Sequence, residues 1–312
     1  MRNASSGIGT TVTGKQYIGR FAPSPTGPLH FGSLVAAAAS YLQARSCRGR
    51  WLLRIEDIDP PRERRGAADA IVSALETYGF EWDGPVLYQS RNNAQHRAAV
   101  ERLLDEWRAY PCGCSRQRLA TAPQGPLGRI YPGTCRAGSN SRHSAIRLRT
   151  DNEPVGFVDL VQGPQEQRLE SESGDFVILR RDKLIAYHLA VVVDDFAQGV
   201  SQVVRGVDLL ESTPRQVYLQ RVLGYPTPEY AHIPVVVNRA GQKLSKTTGS
   251  REVPLDRVAP VLCAALRALG QPVSRDLHSA GLSAIWAWSM EHWTLETMIN
   301  QRSVPEPLEA YG

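Results

Sequence analysis

The stretch RFAPSPTGPLHFGS, which runs from Arg20 to Ser33, decides how this chain folds. A short strand is predicted to lead into it, and its three prolines must end that strand in a turn without ladder hydrogen bonds. The alanine-rich residues 34–42 then favour a helix. The order strand, rigid loop, His-x-Gly and helix therefore places His30 and Gly32 at a helix N-terminus, where backbone N–H groups and the helix dipole favour phosphate.

Composition sets the outer limits of the interpretation. The chain has 312 residues, enough to bury a large core, and its net charge of +5 permits a phosphate-bearing partner. No apolar run is long enough to cross a membrane, and the Ser-, Thr- and Gly-rich residues 1–14 predict a flexible extension instead of a secretion signal. The five cysteines, an odd number, favour a reducing cytoplasm over a disulfide framework. Of these, Cys47 and Cys263 are expected to be buried packing residues.

Acidic residues follow the second predicted strand. Residues 50–59 are typical of a strand that ends in carboxylates, and Pro60 stops it. A carboxylate at the C-terminal edge of a strand lies where open α/β sheets bind ligands. The alternative from spacing alone is a solvated acidic turn. The acidic residues within 56–59 are therefore candidates for ligand binding, and the structural alternative stays open.

A change of composition marks an insert. Residues 111–142 are rich in Pro, Gly and Arg and contain Cys112, Cys114 and Cys135. Cys-x-Cys with a later Cys offers three soft ligands for a tetrahedral zinc ion, and a metal would supply folding energy to a loop with little core of its own. His143 is the conventional candidate for a fourth ligand. Three free thiols are the alternative.

The second half of the chain predicts strands and then helices. Residues 144–150, 155–161 and 175–180 alternate apolar and polar in places and predict an inserted sheet. Residues 229–238 predict one further strand. The remainder, 252–312, is expected to be a short helical subdomain whose tryptophans form a small core.

The motif KLSKT at 243–247, together with His-x-Gly, resembles the two signatures of class I aminoacyl-tRNA synthetases, and the opening stretch resembles their glutamyl branch. The resemblance extends over residues 17–254. Phe31, Ser33 and Thr247 depart from the usual signatures, in place of a small aliphatic residue, a second His and a final Ser. The implied fold is α/β: a Rossmann-type doubly wound parallel sheet in a catalytic domain at 15–251, with a zinc-binding/β insert at 111–143 and the C-terminal helical part.

The resemblance also implies roles for individual residues. It assigns catalysis to His30, Lys243 and Lys246, ATP binding to His30, Gly32 and Lys246, and glutamate binding to Arg20, Phe21, Ala22, Pro23, Ser24, Glu56, Tyr187 and Arg205. The chemistry suits these residue types, because arginine binds carboxylates bidentately and lysine and histidine stabilise developing phosphoryl charge. Mg²⁺ is expected with ATP. Structural alternatives are a packed helix cap for His30, a wall residue for Tyr187, and an ion pair between Arg205 and Asp194 or Asp195.

The short form of the chain narrows the implied function. Only residues 247–312 follow the second lysine, whereas full glutamyl-tRNA synthetases continue into an anticodon-binding region. This brevity and the Cys-x-Cys…Tyr-x-x-x-Cys insert resemble the glutamyl-queuosine tRNA(Asp) synthetases, whose members attach glutamate to queuosine in the anticodon. The resemblance implies one structural zinc with Tyr131 as fourth ligand, His143 remaining in reserve. L-glutamate, ATP and queuosine-bearing tRNA(Asp) are the expected partners of a cytoplasmic monomer that binds no membrane.

Three rival functions remain open at this level. The first is a truncated glutamyl-tRNA synthetase that charges a tRNA 3′ end. The second is a small-molecule nucleotidyltransferase, which also uses His-x-Gly with ATP, although Arg20, Glu56 and Arg205 argue against it. The third is a non-catalytic zinc and tRNA binding protein, against which His30 and the two lysines argue.

Overall fold

A computed structural model describes residues 16–139, 141, 143–244, 251–274 and 276–307. The predicted extension at 1–14 and Lys246 lie outside the described residues. The described strands are β1 (Ile18–Phe21), β2 (Arg50–Ile55), β3 (Leu87–Tyr88), β4 (Ala109–Cys112), β5 (Gln124–Gly125), β6 (Gly128–Arg129), β7 (Ala145–Leu148), β8 (Pro154–Asp159), β9 (Gly163–Arg168), β10 (Val177–Leu179), β11 (Gln202–Gly206), β12 (Glu229–Ile233), β13 (Val235–Val237) and β14 (Ser303–Pro305). The described α-helices are α1 (Phe31–Ser46), α2 (Ala67–Thr77), α3 (Asn93–Asp105), α4 (Arg116–Leu119), α5 (Leu169–Glu172), α6 (Tyr187–Ala197), α7 (Thr213–Leu223), α8 (Val258–Ala268) and α9 (Leu282–His292). Among the helices of these residues, none has the length and apolar character needed to span a membrane.

The central layer is a parallel sheet in two parts. In the first part β1 pairs with β2 and β2 with β3, all in parallel. In the second part β11, β12 and β8 pair in parallel, and β9 is added antiparallel at the edge. The two parts meet where the Ser201 N–H donates to the Ile18 carbonyl oxygen at 2.9 Å, which brings β11 beside β1. Strand order therefore diverges on either side of β1, and the predicted doubly wound α/β sheet is confirmed.

Helix α1 packs behind this divergence. Its alanines favour the helical conformation, and the His30 ring caps its start by accepting a hydrogen bond from the Ser33 N–H at 3.2 Å. The helix is buried on almost every side because the sheet covers one face and α8 and α9 cover the other. Cys47, which follows its last turn, is exposed, so the expectation that this thiol is buried was wrong, whereas Cys263 on α8 is buried.

A second sheet carries the insert. Strands β10, β7 and β4 form an antiparallel sheet, and the cysteine loop with the β5–β6 hairpin lies beside it. The prediction that residues 155–161 join this inserted sheet was wrong. Their strand, β8, pairs with β12 of the central layer, where Tyr230 lies opposite Asp159. The Asp159 carboxylate holds this junction by accepting the His232 backbone N–H at 3.1 Å.

The C-terminal segment packs into the hydrophobic core that surrounds α1 and β2. The predicted strand at 229–238 is divided into β12 and β13 by Pro234, which has no N–H to donate, and β13 pairs with β14. The expectation of a separate small tryptophan core was wrong for Trp286. Its ring contacts Tyr41 and Phe80 edge-on, and its Nε1–H donates to the Tyr78 carbonyl oxygen at 3.0 Å.

Candidate active site

A cleft of about 680 Å³ opens at the C-terminal ends of β1, β2 and β11. This is the position at which open parallel sheets bind ligands, because the loops on either side of the divergence point away from each other. The cleft is lined by every residue predicted for catalysis, ATP binding or glutamate binding that the structure describes. These are Arg20, Phe21, Ala22, Pro23, Ser24, His30, Gly32, Glu56, Tyr187, Arg205 and Lys243.

One wall of the cleft is a buried network of opposite charges. Asp195, on α6, accepts a hydrogen bond from Arg20 Nε at 3.1 Å and another from Arg54 Nη2 at 2.6 Å. Glu56 Oε1 lies 3.6 Å from the same Arg54 nitrogen. Burial alone would raise the pKa of Asp195, but the two guanidinium groups hold it below its ordinary value. Arg20 is therefore fixed in a single orientation before a substrate arrives.

Glu56 differs from Asp195 in its electrostatic balance. Its residue is 8% exposed, and burial raises its pKa above the ordinary 4.5 against the opposing effect of Arg54 and Arg20. A carboxylate that is costly to ionise gains most from a cation placed beside it, because the partner compensates the missing hydration. Glu56 is thus suited to hold an ammonium group.

Arg205 approaches the cleft from β11 with no carboxylate in contact among the described residues. Its Nη2 donates to Thr213 Oγ1 and to Gln216 Oε1, each at 2.8 Å, and its Nη1 lies 3.5 Å from the Tyr187 hydroxyl. The alternative of an ion pair with Asp194 or Asp195 was wrong. Asp195 is occupied by two other arginines, and Asp194 accepts from His96 Nε2 at 2.8 Å.

The ionised side chains on this wall carry a net positive charge. Arg20 and Arg54 face Asp195 and Glu56, so that these four side chains balance when all are ionised. Arg205 then adds one positive charge in the same cleft. The arrangement favours a ligand with a net negative charge that carries both carboxylate and ammonium groups.

The opposite side of the cleft combines the start of α1 with the lysine loop. His30 and Gly32 line it, and a Cβ on Gly32 would lie 3.4 Å from the His30 ring. A Cβ there would be in ordinary van der Waals contact with the ring, and its absence leaves the backbone at the start of α1 accessible to a ligand. Lys243 Nζ pairs with Asp208, on the turn after β11, which brings the described part of the lysine loop to the cleft.

The three insert cysteines also come together. The Sγ atoms of Cys112, Cys114 and Cys135 all lie within 4.8 Å of one another. The Tyr131 hydroxyl lies 3.3 Å from Cys112 Sγ and 3.8 Å from Cys114 Sγ. His143 is exposed, and the described residues do not place it in this group. Buried thiols converging with one hydroxyl form a donor set of the kind that suits a tetrahedral metal ion.

Sequence reasoning missed the groups behind the cleft arginines. Arg54 and Asp195 connect β2 to α6, and Asp159 and His232 connect β8 to β12. The available signal was a charged or polar side chain inside a buried strand: Arg54 lies in β2, and His232 lies in β12. A buried charged residue in a strand requires a partner, which is sufficient reason to search for one.

The fold and the cleft define the catalytic domain of a class I tRNA synthetase. The sequence model of the family described as tRNA synthetases class I (E and Q), catalytic domain, matches residues 17–260. Among solved structures, a glutamate tRNA ligase from Elizabethkingia meningosepticum in complex with its amino acid has a similar fold, with a TM-score of 0.78 and 21% identity over 95% of this chain and 68% of that chain.

Curated relatives are much closer in sequence. A glutamyl-Q tRNA(Asp) synthetase from Ectopseudomonas mendocina is 52% identical over 93% of this chain and 97% of its own. Another of that name, from Dechloromonas aromatica, is 51% identical over 93% of this chain and 98% of its own. The chain therefore belongs to the glutamyl-Q tRNA(Asp) synthetase family within the class I tRNA synthetases. It is an enzyme of the ligase type, and the predicted family is confirmed.

Proposed function

We propose that this enzyme activates L-glutamate with ATP and transfers the glutamate to queuosine in the anticodon of tRNA(Asp). The observation that carries the proposal is the charge pattern of the cleft. Arg20 and Arg205 can each bind one carboxylate of glutamate, and Glu56 can hold its ammonium group. Glutamate, with its net charge of −1, would neutralise the positive charge that Arg205 adds to the cleft, whereas neutral glutamine would not.

Activation requires the α-carboxylate of glutamate to meet the α-phosphorus of ATP. A carboxylate oxygen forms the new bond to phosphorus, the bond to the pyrophosphate oxygen breaks, and glutamyl-adenylate and pyrophosphate result. His30 at the start of α1, with Lys243 and Lys246, is assigned to stabilise the charge on the phosphoryl oxygens. Gly32 allows the nucleotide to approach the backbone. Mg²⁺ enters with ATP as part of that substrate.

The acceptor is the second part of the proposal. A hydroxyl of queuosine attacks the carbonyl carbon of the adenylate, its proton is lost, and AMP leaves with the electron pair of the broken C–O bond. The support comes from the names of close relatives that match nearly the full length of this chain. The rival acceptor is the 3′ end of a tRNA.

A cytoplasmic monomer remains our expectation, and the free cysteines suit a reducing compartment.

The test of the acceptor uses labelled glutamate, ATP and two preparations of tRNA(Asp), one with queuosine and one without it. We expect label only on the queuosine-bearing tRNA, and in the anticodon fragment after nuclease digestion. Label on the 3′ end of tRNA(Glu) would contradict this acceptor while leaving the activation step intact. Absence of glutamate-dependent ATP–pyrophosphate exchange would contradict both parts.

Zinc is proposed as a structural cofactor of the insert. Cys112, Cys114 and Cys135, together with the Tyr131 hydroxyl, would hold it, because their donor atoms already converge in a buried cluster. Tyr131 is preferred to His143 as the fourth ligand, since the tyrosine hydroxyl lies against the thiols and also accepts the Cys135 N–H at 3.1 Å. The ion would tie together a loop that has little apolar core of its own.

Purified protein is therefore expected to contain about one zinc ion in each chain. Cys114→Ser should lose the metal and lower the melting temperature, because a hydroxyl replaces a thiolate ligand in the cluster. Metal content by mass spectrometry and thermal unfolding measure the two effects. Cys263→Ser, at a buried thiol on α8, is the matched control and should retain the zinc. Folded wild-type protein that is free of metal would refute the site.

A further inference from the structure

Arg205 is held by neutral acceptors alone among the described residues. Besides Thr213, Gln216 and Tyr187, it contacts His232, whose Nε2 lies 3.0 Å from Arg205 Nε. Arg205 is 6% exposed and His232 is fully buried. A guanidinium without a direct carboxylate keeps its attraction for an incoming anion, but its orientation then depends on the groups that accept its other hydrogen atoms.

The geometry settles which nitrogen of His232 carries the proton. Arg205 Nε always bears hydrogen, so the Nε2 atom facing it must offer a lone pair. The other ring nitrogen, Nδ1, lies 2.6 Å from Asp159 Oδ2 and therefore donates to that carboxylate. The remaining neighbour of Nε2, the Thr213 hydroxyl, donates elsewhere, to the Leu209 carbonyl oxygen at 3.0 Å. The ring is therefore neutral, and burial lowers its pKa to about 4 in agreement with this arrangement.

Asp159 is itself fixed by the backbone. Its Oδ1 accepts the N–H groups of Val161, Gln162 and His232 at 3.0, 2.9 and 3.1 Å. The carboxylate is 2% exposed and belongs to the last residue of β8. These bonds leave Oδ2 directed at the His232 ring. A continuous series of hydrogen bonds thus runs from the β8 turn through the ring to the guanidinium in the cleft.

We propose that Asp159 and His232 are positioning residues that orient Arg205 for the carboxylate of the amino-acid substrate. The inference rests on the proposed function, because it assumes that Arg205 binds glutamate. Asp159 fixes the tautomer of His232, and the Nε2 lone pair fixes the direction of the Arg205 Nε–H. The remaining face of the guanidinium then points toward the Tyr187 hydroxyl and the cleft.

The neutral His232 ring keeps the Asp159 carboxylate out of direct contact with the Arg205 guanidinium, and this separation favours substrate binding. A carboxylate in direct contact with Arg205 would form a bidentate pair and compete with the substrate for the same N–H groups. With His232 interposed, Asp159 orients the guanidinium and leaves the N–H groups that face the cleft unoccupied by another anion. The positive charge that the ligand meets is therefore retained.

The test is Asp159→Asn, which preserves the shape and the Oδ1 acceptor for the backbone N–H groups. The new amide N–H donates to His232 Nδ1, so the proton of the ring moves to Nε2 and opposes the Arg205 N–H. In glutamate-dependent ATP–pyrophosphate exchange, we expect KM for glutamate to rise about tenfold or more, the scale of one misplaced charged hydrogen bond. KM for ATP should remain within about twofold of the wild-type value, because that substrate meets other residues.

The control is His96→Gln, which alters a second fully buried histidine–aspartate pair among the described residues, His96 with Asp194. This variant should lose thermal stability to a similar degree and keep the wild-type KM for glutamate. Should Asp159→Asn fail to fold, His232→Phe removes both ring nitrogens and is expected to produce the same selective rise in KM. An unchanged KM for glutamate, or an equal rise of both KM values, would overturn the inference. Wild-type protein without any glutamate-dependent exchange would instead overturn the proposed function.

Discussion

Arg20→Ala is expected to abolish glutamate activation while ATP still binds. Arg20 is 4% exposed, and its Nε is fixed on Asp195, so that its remaining N–H groups are held for a ligand in the cleft. Removing one member of a buried, hydrogen-bonded charge pair costs about 2–5 kcal/mol in binding. The truncation also leaves Asp195 with one cation fewer, which makes the wall more repulsive to a carboxylate. Activity with glutamate should therefore fall by a factor of more than about 100.

Two measurements distinguish the loss of glutamate activation from a loss of folding. Glutamate-dependent ATP–pyrophosphate exchange reports activation, and titration calorimetry with ATP reports whether the nucleotide side of the cleft survives. Arg54 pairs with Asp195 at 2.6 Å independently of Arg20, so we expect the variant to keep this buried ion pair and to fold. Arg102→Ala, at an exposed arginine on α3, is the matched control and should leave exchange unchanged. Wild-type turnover in Arg20→Ala would remove this residue from the glutamate site.

Glu56→Gln is expected to have the second largest effect. The change keeps the size of a nearly buried side chain and removes the charge assigned to the ammonium group of the substrate. Loss of a charge-assisted hydrogen bond in a desolvated site corresponds to about 2–3 kcal/mol, or a factor of roughly 100 in kcat/KM for glutamate. Steady-state exchange kinetics measure it. Glu101→Gln, on the exposed face of α3, provides the control, and equal kinetics in both variants would argue against the assignment.

The pKa of Glu56 adds a pH dependence to the same experiment. Because burial raises that pKa above 4.5, the side chain takes up a proton at a higher pH than an ordinary glutamate would. Only the carboxylate form attracts ammonium, so KM for glutamate should rise as the pH falls from neutrality toward the raised pKa. The rise should be absent in Glu56→Gln, which has no proton to gain there. A pH profile of kcat/KM for the wild-type protein and for Glu56→Gln tests the direction of this change.

Local patterns predicted the elements of the cleft well. The prolines between Arg20 and His30 could only form a loop, and the alanines after Gly32 could only favour a helix, so the strand–loop–helix unit followed from the chemistry of adjacent residues. The helix α7 likewise ends at Gly224, whose φ of 68° is the left-handed conformation that glycine adopts readily. Resemblance then selected residues that the structure gathers around one cleft.

The positioning contacts could not be predicted in the same way. Arg20 and Asp195 lie 175 positions apart, and Asp159 and His232 lie 73 apart, so no local pattern pairs them. The assignment of β8 to the inserted sheet failed for the same reason, since strand neighbours are chosen by tertiary contacts.

The position of helix α1 links the cleft to a distant part of the chain. His30 caps the helix at the side of the cleft that we propose for the ATP phosphates, while Tyr41, three turns further on, contacts Trp286 of α9. Gln43 accepts the Trp293 indole N–H at 2.8 Å near the same end. Phe31, at the start of α1, lies in the same hydrophobic core as Tyr41 and Trp286, and Trp293 packs against that core. Substitutions among the C-terminal tryptophans can therefore reduce the fraction of molecules with a formed cleft without touching any substrate.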